Sequence, residues 1–188
     1  MFSAVPFLGQ YWHPHLLGGA VDGTAAVGSD EWSFAGAEVY AEKNWGAGFP
    51  DSWWWGQAQG FARPDVCVAF TGGVLAAGPL SATVGGVVVR VGAQVVRLTP
   101  PFAIVHSETD GRRWEVRARG LGCRVHIVGT ADHEPHTLPV PLPAERRNVD
   151  TDFEHLAGHL TLEVSGRLEY RGETELAGLE IGHRPDRV

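Results

Sequence analysis

The stretch EVYAEKNWGAGFPDSWWWGQAQGF, Glu38 to Phe61, concentrates groups that can do chemistry. It carries the carboxylates Glu38, Glu42 and Asp51, the phenol Tyr40, the amides Asn44, Gln57 and Gln59, and four of the chain's seven tryptophans. It also carries Lys43, the only lysine in 188 residues, beside fourteen arginines elsewhere. If EWSFAGAEVYAEKN is a strand, alternation places Trp32, Phe34, Glu38, Tyr40 and Glu42 on one face. Ser33, Ala35, Ala37, Val39, Ala41 and Lys43 fall on the other. Carboxylates among aromatic rings are costly in a dry core without partners. That face is therefore solvated, or it lines a pocket with polar tips. Further on, Trp53, Trp55, Gln57 and Gln59 share one face, with Trp54, Gly56, Ala58 and Gly60 on the other, so both faces must be at least partly covered. An aromatic wall with a few polar groups is the composition of a site for a large apolar ligand. The plainer alternative is that the tryptophans build core.

Lys43 has two readings. A compact ammonium buried against an acid such as Asp51 fits where the broad fork of an arginine would not. That pair either serves the chemistry or locks the turn from Gly46 to Asp51. Histidines offer less. His13 and His15 in WHPH have the spacing of metal ligands on a strand, as in a cupin-like enzyme, but LLGGAVDG after them lacks the glutamate that such a site requires. No metal is expected. HEPH at 133 lies in a proline-rich segment, and His155 with His159 would share a helix face only if a helix forms there. There is no Gly-x-Ser-x-Gly elbow and no phosphate loop, so a nucleophilic hydrolase or a nucleotide enzyme is disfavoured.

The elements that must position these groups are strands. Turn signals recur every eight to twelve residues or so, with short runs rich in Val, Trp, Thr and Leu between them, which predicts an all-β sandwich or barrel of about eleven strands. Val87–Val91 and Gln94–Leu98 flank a Gly92-Ala93 hairpin turn, and a second hairpin turns at Asp110-Gly111. Only Asp150–Leu160 could be helical, and Gly158 weakens that reading. EPHTLPVPLPAE reads as an irregular loop. Residues 1–188 are read as one domain, and a closed barrel of this size can hold one small apolar ligand. The net charge of −7 and pI near 5.7 argue against nucleic acid. The arginines of RRWEVRARG read as the solvated face of a strand. Cys67 and Cys123 in apolar runs read as buried thiols. No export signal is visible, which points to the cytoplasm, and no apolar run reaches the roughly 20 residues of a membrane helix, which leaves peripheral contact as the only membrane role.

These residues also carry a resemblance. GAEVYAEKNWGAGFPDSWWWGQAQGF is similar to the signature of the tocopherol cyclase family: a glycine-aromatic lead-in, Glu-Lys-Asp/Asn-Trp-Gly, Phe-Pro, then a Trp-rich segment ending in Gln. VPFLGQYWHPHLLGG resembles the family's upstream segment and GETELAGLEIGH its C-terminal end. The match covers most of this chain but only the second half of a typical member. Asn44 stands where many relatives have Asp, and Gly9 where a carboxylate is expected.

The resemblance implies a lipocalin- or calycin-like antiparallel β-barrel with extra strands, shared with carotenoid hydratases and some natural-product cyclases. It implies a cofactor-free cyclase that protonates a prenyl double bond and lets a phenol oxygen close onto the cation. Tyr40, Glu42, Lys43, Asn44, Trp45, Phe49, Trp53, Trp55 and Gln57 fall on the motif. Such chemistry needs a carboxylic acid kept neutral by apolar burial, and Glu42 is the first candidate, with Asp51 and Glu38 after it. Trp45, Trp53 and Trp55 would steady the cation, while Gln57 or a WHPH histidine would accept the phenol proton. Two other classes stay open: a lipocalin-like carrier of a hydrophobic molecule, and a cupin-like metal enzyme. A surface that relatives cover with their own first half suggests a homodimer through Phe2–Leu17.

Overall fold

A computed structural model describes residues 10–46, 48–77, 80–142 and 145–184. Twelve strands run through the described residues: β1 (Gln10–Val27), β2 (Asp30–Gly46), β3 (Ser52–Ala58), β4 (Val66–Ala77), β5 (Leu80–Val91), β6 (Gln94–Leu98), β7 (Ala103–Thr109), β8 (Arg113–Gly120), β9 (Cys123–Thr130), β10 (His136–Leu142), β11 (Arg147–Gly166) and β12 (Tyr170–His183). All pairing is antiparallel. Ten strands form one curved sheet in the order β6-β5-β4-β3-β12-β11-β9-β8-β7, with β10 added on β11. No ladder joins β6 to β7 among the described residues, so the barrel is left open. The concave side is filled by Trp54, Val68, Phe70, Val87, Val89, Leu98, Trp114, Ile127, Leu160, Leu162 and Leu179.

β1 and β2 form a separate two-stranded ribbon. It lies on the convex side of the large sheet, where Trp12, Leu17 and Tyr40 pack against Trp55, Ala69, Val84 and Val88. The ribbon explains why β3 to β5 are buried on both faces. Val68 and Phe70 point into the barrel core, while Ala69 between them is covered by the ribbon. A lone two-stranded ribbon is marginal in water, so side chains must hold it down. Arg90 of β5 does so at one end, donating from Nη1 to the carbonyls of Leu17 at 2.6 Å and Gly18 at 2.5 Å.

Both expected hairpins are present, at Gly92-Ala93 and at Asp110-Gly111. Three expectations are corrected. Asp150–Leu160 belongs to β11, and register shifts on either side of Gly158 break its alternation and blur the period of two. The proline-rich segment forms β10, an edge strand with a single partner, where Pro139 and Pro141 withhold a donor that no neighbour needs. The single-face assignment of Trp32 to Glu42 also fails. A shift between Val21 and Gly23 lies opposite Gly36, whose φ is +62°, and Asp22 Oδ1 accepts the Gly36 N–H at 2.6 Å. This bulge separates Trp32 and Phe34 from the alternation of Glu38, Tyr40 and Glu42. Of the segment expected at a dimer interface, Phe2–Gly9, with the departure at Gly9, lies outside the described residues. Gln10–Leu17 belongs to β1 and pairs with β2 of its own chain.

Replacing Arg90 by Met keeps the aliphatic stem and removes both clamps on the ribbon. Charged hydrogen bonds contribute about 1.5–3 kcal/mol, so ribbon amides are expected to exchange roughly ten- to a hundred-fold faster while β4 and β11 hold their protection. Hydrogen exchange with mass spectrometry reads this directly. Unchanged ribbon protection would show that Arg90 is not its anchor.

Candidate active site

Between the ribbon and the convex face of the large sheet lies a cleft, part of it open to solvent. Tyr11 and Trp12 of β1 and Glu42 and Asn44 of β2 form its roof, and Trp53 and Trp55 of β3, Thr71 of β4, Val84 of β5 and Glu180 of β12 its floor. Phe49 and Pro50 close one side, and Phe49 packs on Trp53 with ring centroids 4.9 Å apart. The lining is mostly aromatic and aliphatic with a few convergent polar groups, the composition of a small-molecule site.

Glu42 is the polar centre of the roof. Its Oε2 accepts the indole N–H of Trp12 at 2.6 Å, the indole N–H of Trp55 at 2.8 Å and the Tyr40 hydroxyl. Its Oε1 accepts the Asn44 amide N–H at 2.8 Å. Four donors from β1, β2 and β3 therefore converge on one side chain. All four neighbours are placed to donate, and hydrogen bonds of this kind are strongest to an ionised oxygen. Tyr40 is held as a donor, because burial first and the Glu42 charge second push its phenol well above the usual range. Asn44 matters for the same reason: an aspartate at that position would offer no donor.

The floor holds a second carboxyl. Trp53 donates its indole N–H to Glu180 Oε1 at 2.7 Å, and Gly182 gives the ring its room, since a Cβ there would run into it. Burial, and then the neighbouring Asp152 charge, push Glu180 up to about 8. Asp152 is itself raised by burial, and Glu154 beside it likewise. Cys67, under the ribbon, is a buried thiol pushed up to about 12 by desolvation, and Cys123 is buried and free as well.

The structure brings Glu42, Tyr40, Asn44, Phe49, Trp53 and Trp55 together. Trp45 stands one layer out, stacked at 5.5 Å on the lining residue Tyr11. Lys43 Nζ lies 5.7 Å from the Trp45 ring centroid. The Asp51 backbone ties the site's side wall: its N–H donates to the Val74 carbonyl at 3.0 Å and its carbonyl accepts the Arg184 N–H at 2.9 Å. Glu38 and Gln57 do not line the cleft. Glu38 accepts the Gly60 N–H at 2.9 Å, and its carbonyl accepts the Gln59 amide. His13 and His15 stack on each other with centroids 6.2 Å apart, away from the cleft lining. No group of three His, Cys, Asp or Glu side chains converges as a metal-ligand set among the described residues. Sequence reasoning missed Trp12, Glu180 and Asp152. The first lay inside a noted segment, but nothing in LEIGH links Glu180 to a tryptophan 127 positions earlier.

A family model described as tocopherol cyclase-like matches residues 2–183. The chain belongs to the tocopherol cyclase-like family. A tocopherol cyclase of Zea mays is 30% identical over 214 residues, which cover 97% of this chain and 41% of the maize protein. A probable tocopherol cyclase of Oryza sativa subsp. japonica is 31% identical over 106 residues, 56% of this chain and 20% of that one. The chain thus spans well under half the length of the curated relatives it matches. Both are named as chloroplastic, so they lend the cytoplasmic expectation no support. The structure of kievitone hydratase from Nectria haematococca superposes with a TM-score of 0.54 at 15% identity, covering 98% of this chain and 59% of that one. This likeness bears on the fold, which is all-β and lipocalin-like, with the barrel open. No helix among the described residues is long and apolar enough to cross a membrane.

The raised Glu180 has a consequence for stability. An unfolded glutamate ionises near 4.5 and the folded one near 8, so between these values the native state holds the extra proton. Stability contributed by the neutral form is therefore lost as pH rises through that window. Urea titrations are expected to show a falling midpoint from about pH 5 to about pH 8 that is shallower in Glu180→Gln. Identical slopes in the two proteins would contradict the burial of an uncharged Glu180.

Proposed function

We propose that this protein is a cofactor-independent cyclase of the isomerase or lyase type, which closes a ring on a hydrophobic prenylated aromatic or polyene by acid-initiated addition of oxygen to an alkene. The observation that carries this reading is Glu42: a carboxylate fixed by four donors, facing an aromatic cleft. A passive carrier of an apolar molecule gains nothing from a carboxylate pinned in that position, since the group adds a desolvation cost without adding apolar contact. The cupin-like alternative has no ligand set to stand on among the described residues.

In the proposed reaction, an alkene carbon takes a proton and its neighbour becomes a tertiary cation. The π faces of Trp53, Trp55 and Phe49 stabilise that charge by about 0.5–2 kcal/mol each. The phenol oxygen of the same molecule then bonds to the cationic carbon and gives its proton to Glu42. The donors around Glu42 hold its lone pairs in a fixed direction, so little reorganisation is needed when that proton arrives. Glu42 thus takes the part of the base rather than the acid first expected of it, and Tyr40 and Asn44 orient it. Substrate and product are isomers. The membrane contact considered above would be peripheral.

Glu42→Gln preserves the shape but replaces one acceptor oxygen by a donor amide. With a panel of ortho-prenylated phenols and hydroquinones, it is expected to lose turnover by about 10²–10⁴ while binding, read by tryptophan fluorescence, stays within a few-fold. Mass spectrometry with NMR identifies the product by an unchanged mass and a lost alkene. A variant that cyclises at the wild-type rate would remove Glu42 from the chemistry. Chelation with EDTA is expected to leave turnover unchanged, and loss restored by one specific metal ion would overturn the cofactor-independent reading.

A further inference from the structure

We infer that Glu180 is the proton donor of the cleft, with Asp152 as the residue that keeps it protonated. This rests on the cyclase reading and supplies the acid which that reading leaves unassigned once Glu42 is the base. Three observations converge on it. Glu180 is a cleft-lining residue, so its carboxyl reaches bound substrate. It is held in place from β3 by the Trp53 indole N–H at 2.7 Å. Its environment is acidic: Asp152 is buried on the adjacent β11, and the register places Glu154 directly opposite Glu180. Carboxyl groups crowded in this way cannot all ionise, so one of them keeps its proton, and of the three it is Glu180 that lines the cleft. The upward shift of Glu180 agrees with this geometry.

The two carboxyls are coupled through one strand. Trp55 donates to Glu42 and Trp53 to Glu180, and the two rings are two residues apart on the same face of β3. A strand rises about 3.4 Å per residue, so their anchor points are about 7 Å apart along the cleft. That distance lets a proton arrive on one side of an alkene while another leaves the attacking oxygen. The balance closes. The Glu180 O–H bond breaks and a C–H bond forms, the phenol O–H breaks as the C–O bond forms, and its proton passes to Glu42. Exchange with solvent then returns a proton to Glu180 and removes the one on Glu42. The groups facing Glu180 are Asp152 and Glu154 from β11, Trp53 from β3 and Glu42 across the cleft, with His136 of β10 beyond Glu154.

Glu180→Gln retains an acceptor for the Trp53 indole but cannot donate an acidic proton. In the same panel of ortho-prenylated hydroquinones it is expected to lose at least about 100-fold in kcat with fluorescence-detected binding retained. Infrared difference spectra at neutral pH provide a readout independent of turnover: the carbonyl stretch of a protonated carboxyl should be present in wild type and Glu42→Gln and missing in Glu180→Gln. Asp152→Asn removes the charge that adds to burial in raising Glu180, so the alkaline limb of the rate profile, expected near pH 8 in wild type, should move to lower pH. If Glu180→Gln does not fold, the wild-type infrared band and the shift in Asp152→Asn decide. A wild-type chain that cyclises the panel while Glu180→Gln keeps pace with it, or shows no protonated carboxyl, overturns Glu180 as the donor and leaves the cyclase reading standing. A wild type that cyclises nothing in the panel overturns the reading itself, and this assignment with it.

Discussion

Two sheets with no backbone hydrogen bonds between them among the described residues must be joined by side chains, and the joint on which the rest depends is the Glu42 carboxylate. It receives donors from Trp12 on β1, Tyr40 and Asn44 on β2, and Trp55 on β3. The first three fix Glu42 within the ribbon, and the last ties the ribbon to the large sheet. Charge-assisted bonds of this kind are stronger than neutral ones. They also demand that Trp12 and Trp55 present their N–H edges to one oxygen, which fixes both rings against the cleft. Removing the carboxylate would leave several buried donors without partners, a larger loss than the bonds themselves. The same interaction therefore sets the position of the roof, the shape of the cleft and the orientation of the Glu42 carboxyl.

This arrangement moves the site from where a barrel suggests it. An eight-stranded barrel invites a ligand into its interior. Here the interior is filled by Trp54, Phe70, Trp114, Leu160, Leu162 and Leu179. The tryptophan run WWW divides the work: Trp54 goes to the core, while Trp53 and Trp55 face the ribbon. A curved sheet packed solid on one side gives a rigid floor on the other, and a ribbon held by Arg90 and Glu42 covers it. Residues on strands, rather than on loops, then carry the reactive groups.

Much of this was legible from local pattern. Turn spacing gave an all-β chain, and alternation separated Trp54 from Trp53 and Trp55. The mixture of Glu42 with Tyr40 and tryptophans marked residues that line or border the cleft. What failed was what depends on partners distant in sequence. Glu42 as an acid follows from counting apolar neighbours, and the proposal that it acts as a base rests on donors such as Trp12, thirty positions away. Glu180 carries no local signal, because Trp53, Asp152 and Glu154 reach it only through pairing of β3, β12 and β11. The β2 bulge escaped for a related reason. Gly36 with Asp22 across the ribbon breaks the alternation, and a single strand read alone does not show its partner's register.

The central claim is the location of the ligand between the ribbon and the convex face of the sheet. A crystal structure with a bound ortho-prenylated hydroquinone, or with its chroman product, tests it most directly. The account predicts the ring system between Trp53, Trp55 and Trp12, with the phenol oxygen within hydrogen-bond distance of Glu42 and the prenyl carbon against Glu180. A ligand found among Phe70, Trp114 and Leu179 in the barrel interior, with the cleft empty, would contradict it.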